Sequence, residues 1–415
     1  MKKVLTLVLA LVMIMSCTSA FAAMHMSNLK VEIDEALKAY AKLYDEKNGT
    51  STTIESHGGG EDYAGTLKAA LQAGNMPDIF VIEGQGGYDV WAEYILDVSE
   101  QEFAKNTGVG FNYDGKTYGF PVAIEGFGLA YNADILAAAG IDPATLTNRV
   151  NLQAAFEKLD SMKEELGIEA VVSMATSVAG GMTWVTGNQM FSAYLSAGLP
   201  YGDMTIINKA LAGEVDMDRL AEFGEYTALL FKYADNEILV NGDYDDQLNL
   251  FATGKAAFIH QGNWIDPNLV SLGVMDTLNL SFIGEPFLAE TDLPGLMVSA
   301  PSWYVVNSQG ENVEEALAFL NNMVTTEEGQ NYMVNEAGMV PAFGNVTLQP
   351  SGDLSKAVMA ANAAGEIYSW GFGYLPDGFG QNQLGPIFEL LAQGAIDAAT
   401  WTEMVASEIA SIPTL

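Results

Sequence analysis

Tryptophan side chains set among glycine and polar residues are the clearest candidates for ligand chemistry in this sequence. The chain has six tryptophans, and several lie beside glycine and polar residues rather than within apolar helices. An aromatic ring can stack on the apolar C–H face of a sugar, while nearby polar groups bond to its hydroxyls. Packing in a hydrophobic core is the alternative for each ring. The ligand-contact hypothesis applies to Trp184, Trp264, Trp303 and Trp370.

Three acidic side chains could add hydrogen bonds to such a ligand. Glu125 lies in the apolar segment 122–127, so it either accepts bonds from ligand hydroxyls or forms a structural ion pair. Asp62 follows the glycine-rich turn 58–60, where it either meets the ligand or caps the next helix. Glu83 follows a strand-like segment, and open α/β sheets bind ligands beyond the carboxyl ends of their strands.

Motifs for catalysis and for cofactors are missing from the sequence. It has no G-x-S-x-G, H-E-x-x-H or P-loop pattern, Cys17 is its only cysteine, and its three histidines are scattered. With 53 acidic and 17 basic residues, it repels nucleic-acid phosphates and anionic lipids. We expect no enzymatic activity, cofactor, metal or nucleic acid, which leaves neutral sugars and cations as ligands.

The N-terminus has the layout of a secretory signal peptide. Lys2 and Lys3 precede an apolar segment at 4–15, which is too short to span a bilayer, and a small, polar segment at 16–23. Cleavage after Ala22 is favoured, and a lipid anchor at Cys17 is the alternative. We expect residues 1–22 to be a signal peptide and the protein to be exported to the periplasm or the outer face of the cytoplasmic membrane.

Helical and strand-like patterns alternate along the rest of the chain, which favours an α/β fold. Apolar residues recur at helical spacing in the segments 31–44, 63–73, 152–166, 217–234, 313–324 and 384–395. Short runs rich in β-branched and aromatic residues predict strands at 78–82, 128–131, 256–260 and 302–306.

Four segments resemble, in order, the extracellular solute-binding protein family 1, which includes maltose-binding and other oligosaccharide-binding receptors. They are the G-x-x-P-D-I pattern at 74–79, the segment 114–141 with its Leu-x-Tyr-Asn strand, the segment 250–264 ending in Gly-Asn-Trp, and the segment 315–341. Several matches in the family's order are much harder to obtain by chance than one short motif.

The resemblance implies a two-lobed periplasmic-binding-protein fold, class II-like, with a ligand cleft between hinged lobes. It also implies that Trp264 stacks on a sugar and that Trp370 forms an aromatic platform in the second lobe. The function implied is the extracytoplasmic receptor of an ABC importer, a monomer that captures a carbohydrate by hinge closure and delivers it to permease subunits in the membrane.

The expected lobe boundaries follow from the same resemblance. Residues 23–132 and 282–338 form lobe one, and residues 133–281 and 339–415 form lobe two, with crossings near 131–134, 281–285 and 337–341. One departure stands out, because residues 23–29 lack the β-branched and aromatic character of the family's first strand. We expect that strand to be truncated or missing.

Two rival functions remain open at this point. A receptor for a polyamine or another cation would suit the acidity and would use aromatic faces with carboxylates. A secreted glycoside hydrolase would also show tryptophans and carboxylates, and the spacing of its two acids is not readable from one sequence.

Overall fold

Strands of two separate sheets alternate along the chain with the helices that cover them. The computed structural model describes residues 23–58 and 60–413, so the predicted signal peptide and Cys17 lie outside the described residues. The strands are β1 (Met24–Asn28), β2 (Thr52–Ser56), β3 (Ile79–Ile82), β4 (Phe111–Tyr113), β5 (Lys116–Pro121), β6 (Glu125–Asn132), β7 (Ala170–Ser173), β8 (Ala256–Gly262), β9 (Leu280–Ile283), β10 (Leu296–Ser299), β11 (Trp303–Val306) and β12 (Ile367–Tyr368).

Each segment predicted to be helical overlaps an observed helix, which confirms the α/β class. The α-helices are Asp34–Asn48, Tyr63–Ala73, Gly84–Trp91, Glu102–Lys105, Ala133–Ala138, Arg149–Ser161, Lys163–Leu166, Phe191–Ser196, Thr205–Leu211, Met217–Lys232, Asn236–Asn241, Tyr244–Ala252, Asp266–Ser271, Val313–Thr325, Glu327–Asn331, Asp353–Ala364, Gly385–Ala392 and Ala398–Ala410. Within the described ranges, no helix has the length and apolar character needed to cross a membrane.

The two sheets define two lobes, each with its own hydrophobic core. Lobe one contains the sheet β2-β1-β3-β11-β5-β4, and lobe two contains the sheet β12-β10-β6-β8-β7, with β9 also paired to β6. Phe319 and Tyr332 are fully buried in the core of lobe one, and Phe223 and Trp401 in that of lobe two. Trp401 packs on Phe388 at a centroid distance of 4.9 Å, so this tryptophan is structural.

The chain passes between the sheets at positions other than the crossings expected from the sequence. β6 and β10 pair with each other in lobe two, although the expected boundaries assign both to lobe one. β6 also pairs with β8 and β9 over most of its length, so the chain has already crossed before Glu125. The connections are therefore 122–124 and 300–302, together with the segment 347–352 that leads into the helix Asp353–Ala364.

The first strand is present, which corrects the expectation that it is truncated or missing. β1 lies between β2 and β3 and is parallel to both. Met24 and Met26 are fully buried in the core of lobe one. Methionine is unbranched and fills irregular apolar space, so a strand can be built from it without the β-branched residues that make a strand visible in sequence.

Candidate ligand-binding cleft

A cavity, which we call the central cavity, lies between the two lobes. Segments of both lobes that follow or connect the strands line it. It encloses about 770 Å³ of space free of protein atoms, part of it open to solvent. Five of the predicted ligand-binding residues line it: Glu83, Glu125, Trp184, Trp264 and Trp370. Ligand sites in two-lobed α/β proteins are expected at such interfaces.

Lobe two contributes an aromatic wall to the central cavity. The ring of Trp264 lies 6.2 Å from that of Trp184 and 6.0 Å from that of Trp370, measured between centroids. Tyr244 lies 6.2 Å from Trp184. Trp264 folds back over the end of β8, where a side chain at Gly262 would collide with its ring. The glycine of the Gly-Asn-Trp sequence is therefore required for this ring position.

A chain of hydrogen bonds fixes the orientation of Trp264. Its Nε1 donates to Oε1 of Gln261 at 2.8 Å, and Nε2 of Gln261 donates to Oε1 of Gln247 at 2.9 Å. Nε2 of Gln247 then donates to the backbone oxygens of Ser173 and His260 at 3.1 and 3.2 Å. Both glutamines are buried, so these bonds hold the ring edge to the sheet while a ring face remains available.

Lobe one contributes charged residues from the ends of two neighbouring parallel strands. Lys30 follows β1, in a turn where Nδ2 of Asn28 donates to the Lys30 carbonyl at 2.7 Å, and Glu83 follows β3. Lys30 forms an ion pair with Glu125, at the start of β6, and its Nζ lies 3.8 Å from Glu32. Glu125 is only 5% exposed, so the structural ion pair that the sequence left open for it is present.

Burial shifts the proton affinities of this charged wall. Burial raises the pKa of Glu83 to about 7, against a smaller opposing effect of Lys30. Burial likewise raises the pKa of Glu32. For Lys30, burial acts to lower the pKa, but the carboxylates of Glu125 and Glu32 outweigh it and the pKa lies above the ordinary value. Lys30 is therefore charged at neutral pH, whereas Glu83 is divided between its two protonation states.

Amide side chains enter the central cavity from two π-helical turns of lobe two. Asn188 and Gln189 lie in the turn Val185–Met190, and Gln381 lies in the turn Gly380–Leu384. Such turns often occur at functional sites. Among the described residues, Nε1 of Trp184, Nε1 of Trp370 and Oε1 of Gln189 are buried without a hydrogen-bond partner. A polar ligand would satisfy such groups.

Asp62 and Trp303 lie beside the central cavity rather than on it. Asp62 caps the helix Tyr63–Ala73 by accepting a hydrogen bond from the Gly65 N–H at 2.9 Å, and it lines an adjoining cavity that shares Glu83. Trp303 donates from Nε1 to the Val109 carbonyl at 2.9 Å and lines a third cavity, on the other side of Trp370. The helix-capping alternative for Asp62 is thus observed.

Glycine pairs bring the backbones of the two lobes together near the cavity. A side chain at Gly84, whose φ is +69°, would collide with Gly373 of lobe two. A side chain at Gly60 would likewise collide with Gly181. At both places the lobes approach so closely that only hydrogen fits in place of a Cβ atom.

Sequence reasoning missed Lys30, Glu32 and Tyr244. Lys30 and Glu32 follow β1, which was not predicted from the sequence, so they were not recognised as residues at the end of a strand. Tyr244 begins a helix whose Asp243 and Asp246 form a capping box, and that acidic start could have drawn attention to it.

Comparison with known proteins gives one family and a consistent set of relatives. The family model described as bacterial extracellular solute-binding protein matches residues 39–364. The chain is similar to the melibiose/raffinose/stachyose-binding protein MelE of Bacillus subtilis, with 29% identity over 103 residues. That match covers 24% of each protein, so it spans about a quarter of the curated relative's length.

Several solved structures have a similar fold over nearly the whole chain. A sugar transporter protein of Bacillus licheniformis in complex with stachyose has a TM-score of 0.76 at 19% identity, covering 94% of this chain and all of that one. The solute-binding protein RafE in complex with raffinose has a TM-score of 0.73 at 17% identity, covering 94% and 99%. A chitin oligosaccharide binding protein has a TM-score of 0.73 at 18% identity, with the same coverage.

Proposed function

This chain belongs to the bacterial extracellular solute-binding proteins, which are receptors rather than enzymes, and we propose that it is the carbohydrate receptor of an ABC importer. It captures an oligosaccharide in the central cavity by closure of its two lobes and delivers it to permease subunits in the membrane. Membership of a binding-protein family removes the support for the glycoside hydrolase alternative.

The observation that carries this proposal is the composition of the central cavity. Trp184, Trp264 and Trp370 offer aromatic surface, and Asn188 and Gln189 offer amide groups within the same space. An aromatic platform together with polar groups in a concave site suits a sugar, which has both C–H faces and hydroxyls. The names of the relatives add support, because MelE is named for melibiose, raffinose and stachyose.

The two-sheet topology supports revised lobe boundaries. We place residues 23–121 and 303–346 in lobe one, and residues 125–299 and 353–413 in lobe two. The hinge then consists of the connections 122–124, 300–302 and 347–352, and the hydrogen bond from the Ile124 N–H to the Val340 carbonyl at 2.9 Å steadies the first of them. Hinges of this kind absorb closure in a few residues. The receptor acts as a monomer.

Family membership implies export, and the processing site belongs to the proposal. Cleavage after Ala22 leaves Ala23 as the first residue, next to β1. An anchor at Cys17 would instead place a tether of only a few residues before that strand. Mass spectrometry of the protein from its native host distinguishes a chain that begins at Ala23 from a lipidated one.

A cation receptor remains a second candidate for a specific reason. Glu32, Glu83 and Glu125 line the central cavity together with a single lysine, Lys30. Carboxylates combined with aromatic faces also suit a polyamine.

Calorimetric titration of the chain from Ala23 onward tests the receptor function. The ligands are raffinose, stachyose, chitin, malto- and xylo-oligosaccharides, and spermidine, and the mixtures are analysed afterwards for shorter sugars. One-to-one binding of an intact oligosaccharide is expected, with a change in tryptophan fluorescence that is smaller in Trp264→Phe, because Trp184 and Trp370 remain, and is kept in full in Trp401→Phe. Binding of spermidine alone would move the ligand to the cation class.

A further inference from the structure

We infer that the ligand of the central cavity carries a protonated amine beside Glu83, and hence that the captured carbohydrate contains an amino sugar with a free amine. The inference rests on the receptor function proposed above and narrows its ligand class. It is carried by the excess of acids over bases in the cavity, by the aromatic rings that line the same cavity and by unpaired polar atoms.

The charges on the cavity wall do not balance. Lys30 is shared between Glu125, with which it forms an ion pair, and Glu32 at 3.8 Å. Glu83 has no ion-pair partner among residues 23–58 and 60–413, although it lines the same space. Glu61, at the rim, is 62% exposed and pairs with His57. On closure over a neutral sugar, the Glu83 carboxyl would take up a proton, whereas an ammonium group would stabilise its ionised form as an ion pair.

Unpaired polar atoms independently indicate that a ligand belongs here. Trp370 is 6% exposed, and its Nε1 has no hydrogen-bond partner within the described residues. Nε1 of Trp184 and Oε1 of Gln189 are also buried without a hydrogen-bond partner within the described residues, and both side chains line the same cavity. These atoms require both an acceptor and a donor from the ligand, which the hydroxyls and amine of an amino sugar supply.

The aromatic wall favours a cation as well as a sugar ring. The ring of Trp184 lies 6.2 Å from that of Trp264 and 6.2 Å from that of Tyr244, between centroids, in the cavity that the carboxylates also line. Trp is the strongest aromatic partner of an ammonium group, and carboxylates in the same cavity add charge attraction. Burial raises the pKa of Glu83 to about 7, so a neighbouring ammonium group would lower this pKa again and favour the carboxylate.

The test compares sugars that differ only in the amine. Calorimetry at pH 7, where most of the free amine is protonated and Glu83 is about half ionised, uses glucosamine, galactosamine and the glucosamine trimer. The matched probes are the N-acetylated forms and the neutral parents glucose, galactose and cellotriose. We expect an amino sugar to bind roughly tenfold or more tightly than both of its counterparts. Equal or tighter binding of a neutral or N-acetylated sugar, or no binding of any amino sugar, overturns the inference.

A variant pair then locates the charge. Glu83→Gln should weaken amino-sugar binding roughly tenfold, while Glu35→Gln, the same change at an exposed position of the helix Asp34–Asn48 outside the cavity, should stay within about twofold. Equal effects of the two substitutions would argue against Glu83 as the amine's partner. Circular dichroism checks that each variant is folded. The comparison of amino sugars with neutral sugars on the wild-type protein does not depend on the variants.

The outcomes separate this inference from the function on which it rests. If neutral oligosaccharides bind tightly and amino sugars do not, the receptor function stands and the amine is refuted. If spermidine binds and every sugar fails, the carbohydrate function is refuted along with the amino sugar.

Discussion

The two walls of the central cavity use opposite chemistry. Lobe one presents charge at the ends of parallel strands, with Lys30 and Glu83 as its main groups, whereas lobe two presents the rings of Trp184 and Trp264 and the amide of Gln189. Neither wall alone offers a sugar both a stacking face and charged hydrogen-bond partners. In the proposed receptor, the ligand would contact both lobes at once, so that affinity and closure would be coupled.

Removing the cation from the charged wall should give the largest effect. Lys30→Met leaves the buried carboxylate of Glu125 without its partner, so we expect a loss of about 3 kcal/mol in the free energy of unfolding. Urea denaturation measures it. Lys38→Met is the control, because Lys38 pairs with Asp34 at the exposed surface and should cost about 0.5 kcal/mol or less. Equal losses would mean that the buried ion pair between Lys30 of lobe one and Glu125 at the start of β6 does not stabilise the fold.

Truncating the aromatic wall should act on binding. Trp264→Ala removes the ring and leaves Gln261 without its hydrogen-bond donor, so we expect affinity for the sugar to fall about 100-fold. Calorimetry with the ligand found in the titrations measures the change. An affinity within about threefold of wild type would show that the ligand does not use this wall.

The pH dependence of stability is expected to depend on the charged wall, because its Glu83 changes protonation state near neutral pH. The pKa of Glu83 is about 7 in the folded chain and near 4.5 when the side chain is free. The folded state then binds this proton more tightly, so the contribution of Glu83 to stability falls as the pH rises from 4.5 to 7. When the pH rises from 5 to 8, we expect the free energy of unfolding to fall by about 2 kcal/mol less in Glu83→Gln than in the wild type.

Thermal and urea unfolding at both pH values measure that difference. Glu61→Gln is the control and should follow the wild-type profile, because Glu61 is exposed. Parallel profiles for wild type and Glu83→Gln would mean that Glu83 is solvated in the folded chain.

A substitution that prevents the two lobes from approaching fully should have the smallest effect on sugar affinity. Gly84→Ala places a methyl group against Gly373, so we expect sugar affinity to fall about tenfold and the ligand-bound protein to remain more open in small-angle X-ray scattering. Gly74→Ala carries a similar backbone strain at φ +72° but meets nothing within 4 Å. If both variants bind equally, the contact at Gly84 does not limit closure.

The aromatic wall was predictable from sequence, as were Glu83 and Glu125 of the charged wall, whereas Lys30 and Glu32 were not. Trp184, Trp264 and Trp370 stood out because glycine and polar neighbours separate them from amphipathic helices. Lys30 and Glu32 were hidden because β1 is built from methionine, so the strand end that positions them was invisible. The lobe crossings were misplaced for a related reason, since pairing of β6 along its length depends on distant strands rather than on local pattern.

In the proposed hinge closure, the glycine pairs would act as a mechanical stop. Gly84 and Gly60 lie so close to Gly373 and Gly181 that a Cβ atom would collide there, so the backbones have little room to approach further. The closed angle would then be fixed by the protein rather than by the size of the ligand. Ligands of different length would all leave the same outer shape, and a permease that recognises this shape could accept a whole set of related sugars through one docking geometry.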